Sequence, residues 1–131
     1  MIALDPNVLV RILVDDPEQP QQVDRARKAV ALESQVWLSQ IVLVETVWVL
    51  LRAYGFGKAD IIQVLEHLFL NQAFVLEQEG LFEQALAIFR TANVDFSDAL
   101  ILVNAQSQGV SLLTFDRKLI KLTGAVEPSS V

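Results

Sequence analysis

The sequence contains no cysteine. This absence excludes thiolate zinc sites, iron–sulfur clusters and thiol nucleophiles, and it excludes a secreted scaffold held together by disulfides. Histidine is scarce too, because His67 is the only one. It lies in the apolar segment VLEHLFL, where a lone histidine is more typical of a surface than of a catalytic triad, so a Ser-His-Asp hydrolase is disfavoured. We expect a cytoplasmic protein.

Positive charge is also in short supply. Ten Lys and Arg face sixteen Asp and Glu, which leaves a net charge of −6. This balance argues against binding nucleic acid through a simple basic surface. If the substrate is a polyanion, something else must neutralise the site. No apolar run reaches the roughly 20 residues of a membrane span. The first residues, MIALDPNV, lack the basic head of a signal peptide, so we expect neither a signal peptide nor an anchor.

The rest of the composition is that of a globular domain. Hydrophobic residues make up 53% of the 131 residues and charged residues 20%, which excludes a disordered or collagen-like chain. The length corresponds to about one domain by the rough rule of ~150 residues each. We therefore expect a single domain over residues 1–131.

Hydrophobic periodicity predicts strands that alternate with helices. The predicted strands are Ile2–Leu4, Val36–Leu38, Phe74–Leu76, Val110–Thr114 and a short one at Val126. The predicted helices are Val8–Val14, Gln21–Glu33, Ile41–Tyr54, Lys58–Asn71, Leu81–Ala92, Phe96–Gln106 and Arg117–Leu122. This alternation predicts an α/β fold with a mostly parallel sheet covered by helices on both faces.

Glu45 is the first acid whose position is not explained by the stability of the fold alone. In the stretch IVLVETVWVLL it is the only ionisable residue, and Thr46 is the only other polar one. A helix this apolar is expected to be buried on most of its circumference, where an unpaired carboxylate costs several kcal/mol. No Lys or Arg lies within one turn of Glu45. The alternative is that Glu45 lies on a narrow exposed stripe.

Asp5 and Asp116 each come directly after a predicted parallel strand. In open α/β sheets the ligand crevice lies outside the carboxyl ends of the strands, so both side chains are expected to face it. A capping role is the alternative. Asp5 followed by Pro6 is an ordinary helix start, and Asp116 is suited to cap the short helix that follows it.

Asp98 is the fourth acid, and Asp95 precedes it by three residues at the start of a predicted helix. Capping by Asp95 and the helix dipole at Asp98 would satisfy these two without any active site. Capping explains neither Glu45 nor the position of Asp5 and Asp116 at strand ends. A shared divalent cation would explain all of them, because Mg²⁺ and Mn²⁺ bind carboxylate and water oxygens without Cys or His. Such a cation would also offset the charge of a phosphodiester.

Other charged or glycine-containing motifs are weaker signals. The segment Gly55-Phe56-Gly57-Lys58 lacks the earlier Gly and the following Ser or Thr of a phosphate loop, so it is interpreted as a turn between two helices. We interpret the cations of the second helix as a solvated face, whereas three others lie nearer the crevice and are candidates to hold phosphate. The first group is Arg25, Arg27 and Lys28, and the second is Arg11, Arg117 and Lys118.

The sequence resembles the PIN-domain ribonucleases, in particular the VapC-type toxins of bacterial toxin–antitoxin pairs. The segments that carry the resemblance are LDPNVLVRIL, SQIVLVETVWVL, VDFSDALILVNAQSQG and LLTFDRKL, and together they span nearly the whole chain. The resemblance implies one three-layer α/β/α domain with a mostly parallel central sheet, and Mg²⁺- or Mn²⁺-dependent cleavage of RNA. It also implies a homodimer inhibited by an antitoxin protein.

The resemblance assigns roles to individual residues. The family's acidic quartet matches Asp5, Glu45, Asp98 and Asp116. The three aspartates would hold the metal while Glu45 orients or deprotonates the attacking water, and the supporting residues would be Asn7, Asp95 and Thr114. One departure concerns the position after the first Asp, where the family usually has Thr or Ser. Pro6 stands there, so a hydroxyl near the metal or substrate is missing.

The two apolar helices between Ile41 and Asn71 carry more hydrophobic surface than one small domain readily buries. We expect Trp48, Phe56, Leu68 and Leu70 to pack against a second copy, an antitoxin or both. Two rival functions remain open. One is a phosphatase or phosphotransfer domain that uses Asp5 as nucleophile, although such sites usually place a second acid where this chain has Asn7. The other is a PIN-like binding module whose activity has lapsed.

Overall fold

The computed structural model of the chain describes residues 1–129. These residues divide into two compact units. The first is Met1–Glu79 and the second begins at Gly80. The single domain over 1–131 stays a prediction, and its last two residues lie outside the described part of the chain.

The first unit contains three strands and four helices. The strands are β1 (Ile2–Ala3), β2 (Val36–Leu38) and β3 (Phe74–Leu76), and the helices are α1 (Pro6–Leu13), α2 (Pro20–Ala31), α3 (Gln40–Ala53) and α4 (Lys58–Leu70). The strands form one parallel sheet in the order β1-β2-β3. In β2, Val36 and Leu38 are buried and Trp37 between them is 37% exposed, as the two-residue period of a strand requires.

Local groups set both ends of α3. The Ser39 hydroxyl accepts a hydrogen bond from the Val42 N–H at 3.1 Å and caps α3. The Glu77 carboxylate, just after β3, accepts from the Gln40 N–H at 2.8 Å and supports the same end of that helix. Gly55 has a φ of 67° in the turn that follows α3, a conformation that glycine adopts without strain. The interpretation of this segment as a helix-to-helix turn is confirmed.

The core of the first unit lies where α1 packs on α2 and α3. Its fully buried side chains come from three helices and the central strand, and they include Leu9, Val10, Leu38, Leu43, Leu50, Ile61, Leu65 and Leu68. Leu68 is 1% exposed, so the expectation that it faces a partner is wrong. Its position in α4 places it on the same face as Ile61 and Leu65, seven and three residues earlier, and that face is buried.

The second unit contains two helices, a 3₁₀ turn and two strands. They are α5 (Glu79–Thr91), which starts at the boundary, α6 (Phe96–Ser107), β4 (Leu112–Leu113), the 3₁₀ turn Leu119–Lys121 and β5 (Ala125–Val126). β4 and β5 pair in parallel. The rings of Phe82 and Phe89 meet the ring of Phe96 edge-on, at 5.7 and 6.0 Å between centroids. Such pairs stabilise the core beyond the area they bury.

Thr46 is buried in α3 with a hydroxyl that makes no hydrogen bond within residues 1–129. Because an unpaired buried hydroxyl is unfavourable, Thr46→Val is expected to raise the free energy of unfolding by up to about 1 kcal/mol. Urea denaturation measures the change. The control is Thr91→Val, because the Thr91 hydroxyl is exposed and donates to the Ala87 carbonyl at 3.2 Å. A loss of stability in Thr46→Val would show that this hydroxyl has a partner.

Candidate functional site

Asp5 lies directly after Leu4, at the carboxyl end of β1. Its Oδ1 accepts a hydrogen bond from the Val8 N–H at 2.9 Å, and Pro6 occupies the first helical position. The capping role is therefore confirmed. The cap uses one carboxylate oxygen, and the side chain remains exposed. Capping and ligand binding are thus compatible at this residue.

Glu45 is exposed, so the expectation that it is buried is wrong. α3 buries Leu43, Val47 and Leu50 on one side and exposes a stripe on the other. Ile41 and Trp48 are 71% and 56% exposed on that stripe, four residues before and three residues after Glu45. The apolar residues of IVLVETVWVLL thus extend around the helix into solvent. Glu45 needs no buried cation, and its catalytic role is supported by the resemblance alone.

Asp5 lies in a cleft of about 850 Å³ that belongs wholly to the first unit. We call this space the Asp5 cleft. It is lined by Asp5, Asn7, Val8, Arg11, Gln19, Gln22, Arg25, Ala26, Lys28 and Ala29. Asn7 therefore shares a cleft with Asp5. Arg11 also lines it, which agrees with its assignment as a cation near the crevice.

Three acids interact in the second unit. Burial raises the pKa of the Asp98 carboxyl, and the negative charges of Asp95 and Asp116 raise it further. Asp95 is the residue before α6, but its side chain makes no capping hydrogen bond. The alternative in which Asp95 caps α6 is therefore wrong, and the negative charge of Asp95 acts on Asp98. The negative charge of Asp116 therefore acts on Asp98 within the second unit, and the binding of one ion by both residues stays a prediction.

Asp116 is held in a tight turn after β4. Its Oδ1 accepts from the Lys118 N–H at 2.8 Å and from the Leu119 N–H at 3.0 Å. The Thr114 hydroxyl accepts from the Asp116 N–H at 3.0 Å. The Asp116 side chain therefore fixes the turn that leads into Leu119–Lys121, although Lys118 and not Asp116 directly precedes that 3₁₀ turn. Thr114 supports Asp116 through its backbone.

The raised pKa of Asp98 makes the stability of the metal-free protein depend on pH. Below the ordinary value of 3.8 the carboxyl is protonated in both the folded and the unfolded chain, so it costs nothing. As the pH rises from there through the raised folded pKa, the folded state loses stability because it binds the proton more tightly. The loss is expected to be small, since Asp98 is half-buried and solvent screens its charge.

Urea denaturation with EDTA between pH 3.5 and 7 measures this effect as the difference between Asp98→Asn and the parent. The stability gain of Asp98→Asn is expected to grow with pH. The matched control, Asp24→Asn, removes an exposed acid that pairs with Lys28 at 2.9 Å. A gain for Asp98→Asn that is constant with pH would contradict the repulsion.

The donor chemistry of the acids suits a hard divalent cation. Carboxylate oxygens are the ligands Mg²⁺ and Mn²⁺ prefer, and a cation would relieve the repulsion at Asp98. Within residues 1–129 no three His, Asp or Glu side chains stand together as a formed metal centre. The acids of the second unit therefore influence one another through their charges, but they do not by themselves form a complete set of metal ligands.

The remaining residues singled out from the sequence differ in their exposure to solvent. His67 is exposed, with its ring 6.0 Å from that of Phe74, as the surface interpretation predicts. Leu70 is 78% exposed and Trp48 is 56% exposed, whereas Phe56 is half-buried. Arg117 and Lys118 are exposed beside Asp116 in sequence. None of the helices within the described residues is long and apolar enough to span a membrane.

Sequence reasoning missed the position of two cations of α2. All three cations on this helix are exposed, as a solvated face would be, yet Arg25 and Lys28 line the Asp5 cleft and Arg27 does not. The three-residue spacing from Gln22 to Arg25 to Lys28 was the available signal, because it places them on one side of the helix.

Known proteins are similar to this chain over nearly its whole length. The PIN-domain family model matches residues 2–125. The VapC ribonuclease of Aquifex aeolicus (strain VF5) is 23% identical over 124 residues, which cover 93% of this chain and 92% of that protein. The family match, the six helices and the parallel strands confirm the predicted α/β class of the three-layer type. The chain belongs to the PIN-domain family.

Proposed function

We propose that the chain is a Mg²⁺- or Mn²⁺-dependent endoribonuclease and the toxin of a toxin–antitoxin pair. The observation that carries the proposal is the PIN-domain match over residues 2–125. The similarity to a VapC ribonuclease over 93% of the chain supports the same activity. We further propose that residues 1–131 make up one PIN domain.

The acidic quartet is the proposed catalytic set. Asp5, Asp98 and Asp116 would hold the divalent ion through their carboxylate oxygens. When bound, the ion supplies positive charge that offsets the phosphodiester and acidifies a water molecule. The pKa of Asp98, raised by burial and by the charges of Asp95 and Asp116, supports this assignment, because neighbouring carboxylates that repel one another favour cation binding.

Glu45 is the proposed general base. Its exposed carboxylate would accept a proton from the attacking water as the water oxygen bonds to phosphorus and the bond to the leaving ribose oxygen breaks. Its position on the exposed stripe of α3 keeps it open to a substrate. The leaving oxygen departs with the electron pair of the broken bond and takes up a proton from solvent.

Three residues have proposed supporting roles. Asn7 shares the Asp5 cleft and offers an amide to substrate or water. Thr114 fixes the turn that carries Asp116, and Asp95 adds negative charge beside Asp98. These three residues are proposed to position the acids, the water or the substrate and not to react themselves.

The proposed partners are RNA, a second copy of the chain and an antitoxin protein. The exposed apolar side chains on the helices of the first unit are the surface that we propose a protein partner covers. They include Ile41 on α3 at 71% exposed and Leu70 at the end of α4 at 78%. We propose that the protein meets these partners in the cytoplasm.

One observation favours a second candidate, a PIN-like module that binds RNA without cutting it. Pro6 occupies the first helical position after Asp5 and provides no hydroxyl, where related nucleases usually carry Thr or Ser. Asn7 in place of an acid argues against the phosphotransfer alternative.

Cleavage of a mixed pool of structured RNAs with Mn²⁺ or Mg²⁺ tests the proposal. We expect cutting by the parent protein and none with excess EDTA. Expression in a bacterial host should be toxic, and the neighbouring gene should relieve the toxicity. Intact RNA at a protein concentration that binds it would favour the non-cutting module.

A further inference from the structure

The Asp5 cleft has an electrostatic character opposite to that of the whole chain. It is lined by three cations, Arg11, Arg25 and Lys28, and by one carboxylate, Asp5, in a protein of net charge −6. Both walls come from the first unit, since α1 packs on α2. A local concentration of positive charge beside a proposed catalytic acid indicates where an anionic ligand would lie.

The first cation forms a fixed wall of the cleft. Arg11 donates from Nη1 to the Tyr54 hydroxyl at 2.8 Å and from Nε to Gln22 Oε1 at 3.1 Å. Its Nη1 is also 3.5 Å from Asp16 Oδ2. The Glu18 N–H and the Tyr54 hydroxyl lower the pKa of Asp16, so that acid stays ionised opposite Arg11. Much of the Arg11 charge is therefore compensated inside the protein.

The other two cations are available to a ligand. Arg25 makes no ion pair with any of the residues that the structure describes. Lys28 pairs with Asp24 at 2.9 Å, but the two side chains are 76% and 61% exposed, and such surface pairs are worth little. Because Arg25 and Lys28 are three residues apart on one helix, their charges lie on the same side of α2.

The remaining lining suits a nucleotide chain. Gln19 and Gln22 provide amides, while Val8, Ala26 and Ala29 provide small apolar surface. A volume of about 850 Å³ exceeds what a single phosphate needs. Grooves for single-stranded nucleic acid follow the sugar-phosphate backbone with positive charge, and Arg25 and Lys28 provide that charge in the Asp5 cleft.

We propose that the α2 wall of the Asp5 cleft is an RNA backbone subsite, in which Arg25 and Lys28 bind phosphates flanking the bond that is cut. The subsite depends on the proposed function, because it extends the site of Asp5. It also answers how an acidic chain holds a polyanion, since binding needs positive charge only along this wall. Arg25 and Lys28 bind and position the strand, and they take no part in the chemical step.

Arg27 is the matched control. It lies on the same helix with the same charge, but it pairs with Asp15 at 2.9 Å and lines a different cavity with Asp15, Pro17 and Asp24. Arg27→Gln and Arg25→Gln therefore change the net charge equally. Thermal melts check that both variants fold.

The test measures the fluorescence anisotropy of a labelled single-stranded RNA of mixed sequence, in a Glu45→Gln background that keeps the RNA intact. We expect Arg25→Gln to weaken binding roughly tenfold, as the loss of one charge-assisted phosphate contact implies. The slope of log K against log salt should fall by about 0.7 for each lost contact with a single strand. Arg27→Gln should leave affinity unchanged. In the active enzyme, Arg25→Gln should raise KM and leave kcat unchanged.

Equal RNA affinities for Arg25→Gln and Arg27→Gln would overturn the subsite, even if the parent cuts RNA. Arg25-dependent binding without any cleavage would support the subsite and contradict the proposed nuclease. A loss of kcat without a change in KM would also overturn the positioning role. If Arg25→Gln instead weakens binding of a protein partner and not of RNA, the subsite is overturned as well.

Discussion

Asp5→Asn and Asp98→Asn are each expected to reduce RNA cleavage by about a thousandfold or more, and Glu45→Gln by about 10²–10⁴-fold. The first two remove a negative oxygen that would hold the divalent ion. The third removes the proposed general base, and proton transfer by a positioned side chain contributes a factor of that size. Single-turnover cleavage of a labelled RNA measures all three.

The choice of asparagine separates catalysis from folding. Asn is as good a helix cap as Asp, so Asp5→Asn should keep the hydrogen bond from the Val8 N–H. Asp98→Asn should gain stability without metal, because it removes the repulsion from Asp95 and Asp116.

Asp24→Asn, on the exposed side of α2, is the matched control; it removes only the ion-pair partner of Lys28 and should not lower RNA cleavage. If all three site variants unfold, the acids are structural. Folded site variants that cut RNA at the parent rate would contradict the catalytic quartet.

Removal of divalent ions with EDTA is expected to abolish cleavage and to lower the melting temperature of the parent protein. At a metal concentration about a hundred times Kd, binding to the folded state stabilises it by about 2.7 kcal/mol. That stabilisation is lost with the metal, and the carboxylates near Asp98 then repel one another. Differential scanning calorimetry with Mn²⁺, with Mg²⁺ and with EDTA measures the shift.

The same melts on Asp98→Asn provide the comparison. This variant should show little shift between Mn²⁺ and EDTA, because it lacks one proposed ligand and most of the repulsion. Identical melting of the parent with metal and with EDTA, together with undiminished cleavage in EDTA, would contradict a metal-dependent site.

Much of the element order follows from periodicity and capping residues. Ser39 and Gly55 delimit α3 to within one residue of the prediction, because a hydroxyl cap and a left-handed glycine are local signals. Strand ends are less local. The predicted strand Val110–Thr114 is reduced to Leu112–Leu113, since pairing with β5 rather than hydrophobicity decides where a strand begins.

The exposure of single side chains was harder to predict. The apolar run around Glu45 indicated a buried helix, yet Ile41 and Trp48 lie in solvent on the same stripe. Leu68 was expected at the surface and is buried instead. A sequence reports how many apolar residues a helix carries, but the partners of each face arise only from tertiary packing.

Among the proposed site residues, position relative to a strand was the strongest signal. Asp5 and Asp116 follow strands in the structure as predicted, and each also accepts backbone hydrogen bonds from the residues that follow it. The charge of the Asp5 cleft could not be predicted from the net charge. Arg11 in α1 and Arg25 in α2 line it together because the two helices pack on each other, and that contact is not visible in the linear sequence.

The most direct measurement is Mn²⁺ binding, followed by electron paramagnetic resonance, in the parent, Asp5→Asn, Asp98→Asn and Asp24→Asn. If acids that are far apart in the chain hold one ion, Asp5→Asn and Asp98→Asn should each weaken the same binding event about tenfold or more, and Asp24→Asn should not. Parent-like binding in either Asp5→Asn or Asp98→Asn would contradict the shared site.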